Sequence, residues 1–429
     1  MHSFQQRLSN GFYAMLALPA TAMGFALSVQ IAALSWILNT KFGLDIHSIG
    51  IVWMAGPLAG IFGQVIIGVV SDQVWFWNGR RRPFILIGGT VAALMLLALP
   101  NIGVINDALG LDSIVGVAIT VALTLDLAIN ISFNPTRSVI ADVTPAGDQR
   151  TKGYTWMQTI SGFFGVLAYL IGAFVGNIEL IYLAVFMVFG MSVVPIFFVT
   201  EPRELNAADA SGATAGRTDT NMPEFLKICL AHGFSWLGIQ TMFVYSFFYI
   251  KETIFGHAAD ATLPDAVNNE IGFTLGIAFA VLNTVGFILP ALVLEPITER
   301  IGRVRTHFLA IAVMSLGYVG LILFGNTITS FFVMMAVVGI GWAAVVSLPF
   351  AIMSEHVNQG KMGLFMGLFN LSVVLPQLLA SGLGGWLGGF EDRSVIYIVS
   401  AVSLGISAAL WLLVKDTKGT GKVVASSGH

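Results

Sequence analysis

The chain has 429 residues, of which 56% are hydrophobic and 10% are charged, and its formal net charge is −3. Soluble domains carry about 25% charged residues, and a soluble fold of this composition would leave too much apolar surface in water. The composition therefore excludes a soluble protein, the small net charge provides no basic field for nucleic acid, and the single cysteine, Cys229, excludes a disulfide framework or a thiolate metal cluster.

The first apolar stretch is too long for the hydrophobic part of a cleaved signal peptide and long enough to cross a bilayer. Stretches of similar length recur along the chain and predict twelve transmembrane helices, because one span needs about 20 residues. In chain order they cover about 12–39, 47–71, 83–103, 113–140, 153–176, 178–200, 224–250, 270–294, 304–325, 330–353, 362–388 and 394–414. We expect a multi-pass protein of an inner or plasma membrane.

Lysine and arginine are distributed unevenly between the two sides of the predicted topology. An even number of spans puts both termini on one side, and with that side in the cytoplasm 17 of the 20 basic residues lie inside. The 3 outside are Lys41, Lys251 and Arg393. The excess of positive charge on the inside predicts that both termini are cytoplasmic.

A polar segment at 201–223, rich in Ala, Gly, Ser and Thr, separates six spans from six. Its composition is typical of a flexible linker. The predicted organisation is a six-helix bundle at 1–200, a cytoplasmic linker at 201–223, a second six-helix bundle at 224–414 and a short cytoplasmic tail at 415–429.

The two halves share a pattern of an acidic helix end, a glycine turn and arginine. Asp72 and Gly79 follow the second span, and Glu299, Gly302 and Arg303 follow the eighth. Basic inner loops are ordinary topology signals, but the shared order goes beyond them. Parallel six-helix repeats build major-facilitator transporters, whose substrate site lies near the midplane between the repeats. The predicted fold is an all-α membrane protein of the major facilitator type, with twelve transmembrane helices in two six-helix halves.

Three stretches carry a resemblance to a known family. Residues 51–60 are IVWMAGPLAG, leading to GRRRPF at 79–84; residues 125–137 are LDLAINISFNPTR; and residues 348–355 are LPFAIMSE. Together they resemble the sucrose-transporter-like branch of the glycoside–pentoside–hexuronide:cation symporters. The resemblance implies proton-driven uptake of disaccharides such as sucrose or maltose. The first helix departs from the family pattern at 24–36, which leaves the identity of the sugar open.

Asp126 is the only acidic side chain that the predicted spans place deep in the bilayer. A carboxylate there costs at least about 2.5–3.5 kcal/mol on insertion scales, which marks a functional residue. Asn130 and Arg137 share its helix face, which we expect to line a water-filled cavity. Because burial disfavours charge, the carboxyl group can bind a proton when the cavity closes. We therefore predict proton coupling at Asp126, with a structural carboxyl group as the alternative; a sodium cage would need more oxygen ligands.

Sugar binding needs a few polar groups and aromatic faces in an apolar wall. The candidates are polar and aromatic side chains in mid-span: Gln30, Asn130, Gln158, Trp236, Gln240, Tyr245, Asn283, Asn370 and Gln377. Amide side chains also form ordinary interhelical hydrogen bonds, worth about 0.6 kcal/mol on average. His232 is a second candidate for titration, and a buried hydrogen-bond partner is its simpler role.

Charged residues at the inner helix ends form a predicted gate, consisting of Asp72, Arg80, Arg81, Arg82, Arg137, Asp142, Glu299 and Arg303. Ion pairs among them would hold the inner side closed in one conformation. Snorkelling toward the membrane surface would also explain the arginines, so Asp72 is the residue that distinguishes the two interpretations.

The sequence predicts a monomeric proton-coupled symporter that imports a disaccharide of the sucrose or maltose type and contacts membrane lipid and no nucleic acid. We expect no metal and no cofactor, with the proton as the coupling ion. A proton-coupled efflux antiporter for drugs or metabolites and a non-transporting sugar sensor are the alternatives. Catalytic residues are not predicted, because the sequence contains no nucleophile–base pair, phosphate loop or metal-ligand spacing that would indicate an enzyme.

Overall fold

A computed structural model describes residues 7–145, 148–203, 219–358 and 362–415. Within these ranges the regular structure is helical, and the described residues form no strand beyond one isolated bridge between Phe76 and Gly79. Most of the predicted linker at 201–223 and of the tail at 415–429 lies outside the described residues.

The helices of the first part of the chain are α1 Asn10–Thr40, α2 Ile46–Trp53, α3 Ala55–Gln73, α4 Arg82–Ala98, α5 Ile102–Leu109, α6 Ile114–Val143, α7 Asp148–Phe174 and α8 Asn177–Ile196. Those of the second part are α9 Met222–Tyr249, α10 Asp265–Leu289, α11 Glu295–Ile301, α12 Arg303–Phe324, α13 Ile328–Ser354, α14 Met362–Gly382, α15 Gly384–Leu387 and α16 Val395–Trp411. A 3₁₀ turn at Leu99–Asn101 joins α4 to α5, and π-helical turns at Ile250–Ile254 and Pro290–Leu294 follow α9 and α10.

Helices lie at all the predicted span positions. Length and composition single out nine segments of the described residues as able to cross a membrane. The other predicted spans fall on α2 with α3, on the 28-residue α9 and on the 17-residue α16. The predicted all-α class is therefore confirmed.

The second predicted span differs from the expectation, because it is broken into two helices. α2 ends at Trp53, Met54 forms a turn, and α3 begins at Ala55. Pro57 lies in the first turn of α3, where a proline is tolerated, and it has no backbone N–H to donate to the carbonyl of Trp53. The start of a new helix at Ala55 is consistent with this position of the proline.

The chain divides into two compact units: Met1–Phe42 with Ala55–Gly212, and Gly43–Met54 with Ala213–His429. In the first unit α1 packs against α7 and α8, while α6 packs against α3 and α4. In the second, α9 packs against α14 and α16, α13 packs against α10 and α12, and α2 packs against α14 and α15.

Large apolar side chains stay exposed on helix surfaces, for example Phe186 and Phe174 at 76% and 70%, as lipid contact allows.

Candidate functional site

Asp126 lies inside the first unit, near the middle of α6, with 4% of its surface exposed. Gln30 of α1 is equally buried, and its Nε2 donates a hydrogen bond to Asp126 Oδ2 at 3.0 Å. Among the described residues, Gln30 is the only side chain that donates to this carboxyl group, and no basic side chain is paired with it. Within the described part of the chain, the carboxyl group is therefore enclosed without a compensating cation.

Two glycines allow α3 to approach this part of α6. A Cβ atom at Gly56 would lie 3.2 Å from Asp126 Oδ2 and 3.5 Å from Oδ1. A Cβ atom at Gly63 would lie 2.9 Å from Cβ of Asn130. The carboxyl group is thus surrounded by α1, α3 and its own helix, all within one compact unit.

The other predicted members of the Asp126 face make local contacts. Asn130 Nδ2 donates to the backbone carbonyl of Asp126 at 2.8 Å. Half-buried Arg137 places its Cζ 4.1 Å from the centroid of the Phe133 ring, and its backbone carbonyl accepts a hydrogen bond from Tyr154. The structure therefore brings Gln30 to the carboxyl group, while the Asn130 amide donates to the backbone of Asp126.

A set of amide side chains joins α9 to α14 in the second unit. Gln377 Nε2 donates to Gln240 Oε1 at 3.4 Å, and Gln240 Nε2 donates to Ser381 Oγ at 3.4 Å. The Tyr245 hydroxyl donates to the backbone carbonyl of Ser381 at 2.5 Å. These long amide contacts leave capacity for other hydrogen-bonding groups, because each amide has two donor hydrogens and an acceptor oxygen.

A second cluster in the same unit is aromatic. Trp236 Nε1 donates to His232 Nε2 at 2.9 Å, and Trp342 Nε1 donates to Asn283 Oδ1 at 3.2 Å. The two indole rings meet edge to face, with centroids 5.8 Å apart and planes at 84°. Since Nε2 of His232 accepts a hydrogen bond, the imidazole is neutral in this arrangement. Sequence analysis did not select Trp342, because its place in mid-span does not distinguish it from other aromatic residues of the spans.

The remaining predicted sugar-binding residues belong to neither cluster. Gln158 on α7 is exposed, and Asn370 on α14 is half-buried. Within the described ranges, no three His, Cys, Asp or Glu side chains come together as possible metal ligands.

At the end of the first unit where α4 begins, Arg81 is the centre of the predicted gate. Its Nε lies 3.1 Å from Asp142 Oδ2, and its Nη1 donates to Ser71 Oγ at 2.7 Å. Arg81 is 6% exposed, so this ion pair is largely shielded from water. Asp142 thus pairs with Arg81, while the side chain of Asp72 lies outside the described residues.

Glu201 supports the same turn and was not selected from the sequence. Its carboxylate accepts hydrogen bonds from the backbone N–H groups of Arg80, Arg81 and Arg82 at 2.7, 2.8 and 2.8 Å. These groups belong to the start of α4, where free N–H groups attract negative charge. A Cβ at Gly79 would lie 2.6 Å from Glu201 Oε1, so this turn requires glycine.

The second unit contains the corresponding ion pair. Arg303, at the start of α12, pairs with Glu355, at the end of α13. In the first unit Arg81 precedes α4 and Asp142 lies in the last turn of α6, so both pairs join equivalent helix ends. Glu299 is exposed, at the end of α11.

Comparison with known proteins identifies relatives along the whole chain. Sucrose transport protein SUC4 of Arabidopsis thaliana is 23% identical over 89% of this chain and 85% of its own length. Sucrose transport protein SUT5 of Oryza sativa subsp. indica is 24% identical over 99% of this chain and 91% of its own length. The general alpha-glucoside permease of Schizosaccharomyces pombe is 33% identical over 32% of this chain and 28% of its own length. The resemblance to the sucrose-transporter-like branch is confirmed.

Solved structures agree on the fold. A variant of the nucleoside transporter NupG matches with a TM-score of 0.73 at 12% identity, over 94% of this chain and 99% of its own. The peptide transporter POT matches with a TM-score of 0.68 at 14% identity, over 94% of this chain and 93% of its own. The sequence profile of the Major Facilitator Superfamily matches residues 16–381. The chain therefore belongs to the Major Facilitator Superfamily and is a membrane transporter rather than an enzyme.

Proposed function

We propose that the protein is a proton-coupled symporter that imports a disaccharide of the sucrose or maltose type by alternating access. The names of its sequence relatives, which describe sucrose and alpha-glucoside transport, support a sugar substrate. Asp126 is the proposed proton-coupling residue, and the proton is the coupling ion with no further cofactor.

The burial of Asp126 beside Gln30 carries this proposal. A charged carboxylate without a cation is costly in a dry intermediate, by several kcal/mol, and protonation removes this cost. The neighbouring amide suits both states, because its N–H donates to the carboxylate and its oxygen can accept from the protonated acid after rotation. One carboxyl group with one amide fits a proton better than sodium, which needs several oxygen ligands.

Alternating access also needs contacts that differ between the two end states. We propose that the pairs Arg81–Asp142 and Arg303–Glu355 form such contacts at the inner side. We also propose that both termini are cytoplasmic, the position that the distribution of basic residues predicts. The proposed location is the plasma or inner membrane, and the proposed state is a monomer.

Transport in proteoliposomes tests the proposal. The purified protein is reconstituted, sucrose, maltose and other sugars are added in turn, and external pH is recorded with the inside/outside sugar ratio. We expect at least one disaccharide to drive proton entry and to accumulate when a pH difference is imposed. A membrane potential of 100 mV adds about 2.3 kcal/mol per proton, which corresponds to roughly fifty-fold accumulation.

The variant Asp126→Asn tests the assigned residue. Asparagine mimics the neutral acid and never bears the cost of the charged state, so downhill exchange should persist while proton entry and uphill accumulation disappear. Accumulation that survives in Asp126→Asn would show that the coupling site lies elsewhere. A wild type that moves drugs or metabolites outward, and no sugar, would favour the antiporter instead.

A further inference from the structure

Trp342 is held in one orientation near the middle of α13. Its Nε1 is bound to Asn283 Oδ1, and Asn283 Nδ2 is bound to the carbonyl of Phe279 on its own helix. The rings of Trp236 and Phe243 meet Trp342 edge to face, at centroid distances of 5.8 and 5.4 Å and angles of 84° and 79°. A side chain fixed in this way loses little freedom when a ligand binds.

Gly286 provides the space that the indole occupies. A Cβ atom at this position of α10 would lie 2.5 Å from Cδ1 and 3.2 Å from Nε1 of Trp342. The indole therefore lies directly against the α10 helix, and even alanine would displace it. Two independent features, the hydrogen bond to Asn283 and this glycine, thus define where the ring lies.

Burial separates Trp342 from the rings around it. Trp236 and Phe243 are each 5% exposed, whereas Trp342 is half-buried. The Trp342 ring is therefore fixed in place while part of its surface stays available for contact. Trp236, Gln240 and Phe243 follow one another at helical spacing on one face of α9. The Gln240–Gln377 amide pair therefore shares a helix face with the two rings that hold Trp342.

A pyranosyl ring has two kinds of surface that match this arrangement. Its faces present C–H groups that pack on an aromatic ring, and its edge presents hydroxyl groups that bond to amides. We propose that Trp342 is the stacking residue for a pyranosyl ring of the substrate and that Gln240 and Gln377 bind its hydroxyl groups. This inference rests on the proposed function and adds the residue that recognises the ring and the compact unit that contains it.

Binding measurements on the purified full-length protein test the inference. Sucrose and maltose are titrated by calorimetry, with sorbitol as a linear polyol that has no ring face. We expect both Trp342→Leu and Gly286→Ala to weaken disaccharide binding about three- to tenfold, the scale of one aromatic contact. Trp342→Phe should retain most of the affinity, and sorbitol should bind none of the variants detectably. Trp386→Phe is the matched control, because Trp386 is 53% exposed and belongs to another helix.

Tryptophan fluorescence gives a second measurement that does not depend on Trp342→Leu folding. The sugar-dependent change in emission should be present in the wild type and in Trp386→Phe and absent from Trp342→Phe. Wild-type affinity in Trp342→Leu, or a sugar-dependent change that survives in Trp342→Phe, would overturn the inference.

The same experiments separate this inference from the proposed function. A wild type that binds disaccharide and responds through Trp342, but moves no protons with the sugar, overturns the proposed coupling and supports the stacking role. A proton-coupled wild type whose affinity does not depend on Trp342 overturns the stacking role alone. A wild type that binds no pyranoside overturns both.

Discussion

The side-chain amide of Gln30 on α1 donates to the carboxyl group of Asp126 on α6 at 3.0 Å, and both side chains are buried. This bond joins two helices that are far apart in sequence and provides the one described donor to the carboxyl group. A proton that binds or leaves Asp126 therefore changes the charge of the group that accepts this hydrogen bond from α1. Through this hydrogen bond, protonation of Asp126 can affect the position of α1 relative to α6.

The variant Gln30→Ala removes this donor. Leaving a buried polar group unsatisfied costs about 1–3 kcal/mol, so we expect a lower melting temperature and reduced sugar-driven proton uptake. Ser28→Ala is the control on the same helix, because Ser28 Oγ donates only to the carbonyl of Gly24 one turn earlier. Equal proton uptake in Gln30→Ala and Ser28→Ala would contradict a role for Gln30 in coupling.

The variant Gly56→Ala crowds the carboxyl group from the other side. The new methyl group would lie 3.2 Å from Asp126 Oδ2, the oxygen that Gln30 contacts, so the carboxyl group has to shift by a few tenths of an ångström beside this hydrogen bond. We expect proton-coupled uptake to fall severalfold in initial-rate measurements, with a loss of stability of about 1 kcal/mol.

Gly24→Ala is the matched control for that experiment, because a Cβ atom at Gly24 meets nothing within 4 Å. Gly24→Ala should keep the wild-type transport rate, and its folded state should be slightly more stable because alanine has a better helix propensity than glycine. If both glycine variants transport at the wild-type rate, the approach of α3 to Asp126 has no role in coupling.

The variant Glu201→Ala removes an acceptor shared by three backbone N–H groups at the start of α4. Loss of the bonds and of the favourable charge at a helix start should cost about 1–3 kcal/mol. Thermal unfolding in detergent measures this loss. Glu201→Gln keeps an acceptor oxygen and should lose less, while Glu299→Ala, at an exposed position, should unfold like the wild type.

The burial of Asp126 could be predicted from the sequence, because a single acidic residue in the middle of a long apolar stretch lies within the membrane whichever helices surround it. Gln30 was selected only as a sugar ligand, because periodicity shows which residues share a helix face but not which helices meet. Pro57 is a sequence signal near the break at Met54, but it does not predict the break by itself, because the helices that contain Pro19 and Pro135 continue through the proline.

Glu201 and Trp342 show why the rest could not be predicted. Glu201 contacts backbone groups about 120 residues earlier, and no local pattern reports such a contact. Trp342 resembles any aromatic residue of a span until Asn283 and Gly286 are seen beside it. In both cases the informative neighbours come from other helices, so the site depends on packing that a single sequence does not display.

The two equivalent ion pairs lead to the last prediction. Each unit has one ion pair between corresponding helix ends, Arg81–Asp142 in the first and Arg303–Glu355 in the second. The side chains of Arg81 and Asp142 are 7% and 10% exposed. Removing one partner of a shielded pair costs about 3–5 kcal/mol, because the other charge stays buried and unpaired, whereas replacing both partners is much less costly. Asp142→Asn should therefore impair the protein more than Arg81→Gln combined with Asp142→Asn.

The measurement is the labelling rate of a cysteine introduced at Ser138, a half-buried position on α6, in a Cys229→Ser background. If this end of the unit faces the cytoplasm, as proposed, Asp142→Asn should raise labelling from the cytoplasmic side severalfold, because the end of α6 loses its ion pair with Arg81. The double variant should return toward the wild-type labelling rate. In the second unit, Glu355→Gln alone should likewise have a larger effect than Glu355→Gln combined with Arg303→Gln. Identical labelling in single variants, double variants and wild type, all with a native unfolding profile, would show that these pairs stabilise the helix ends without controlling access.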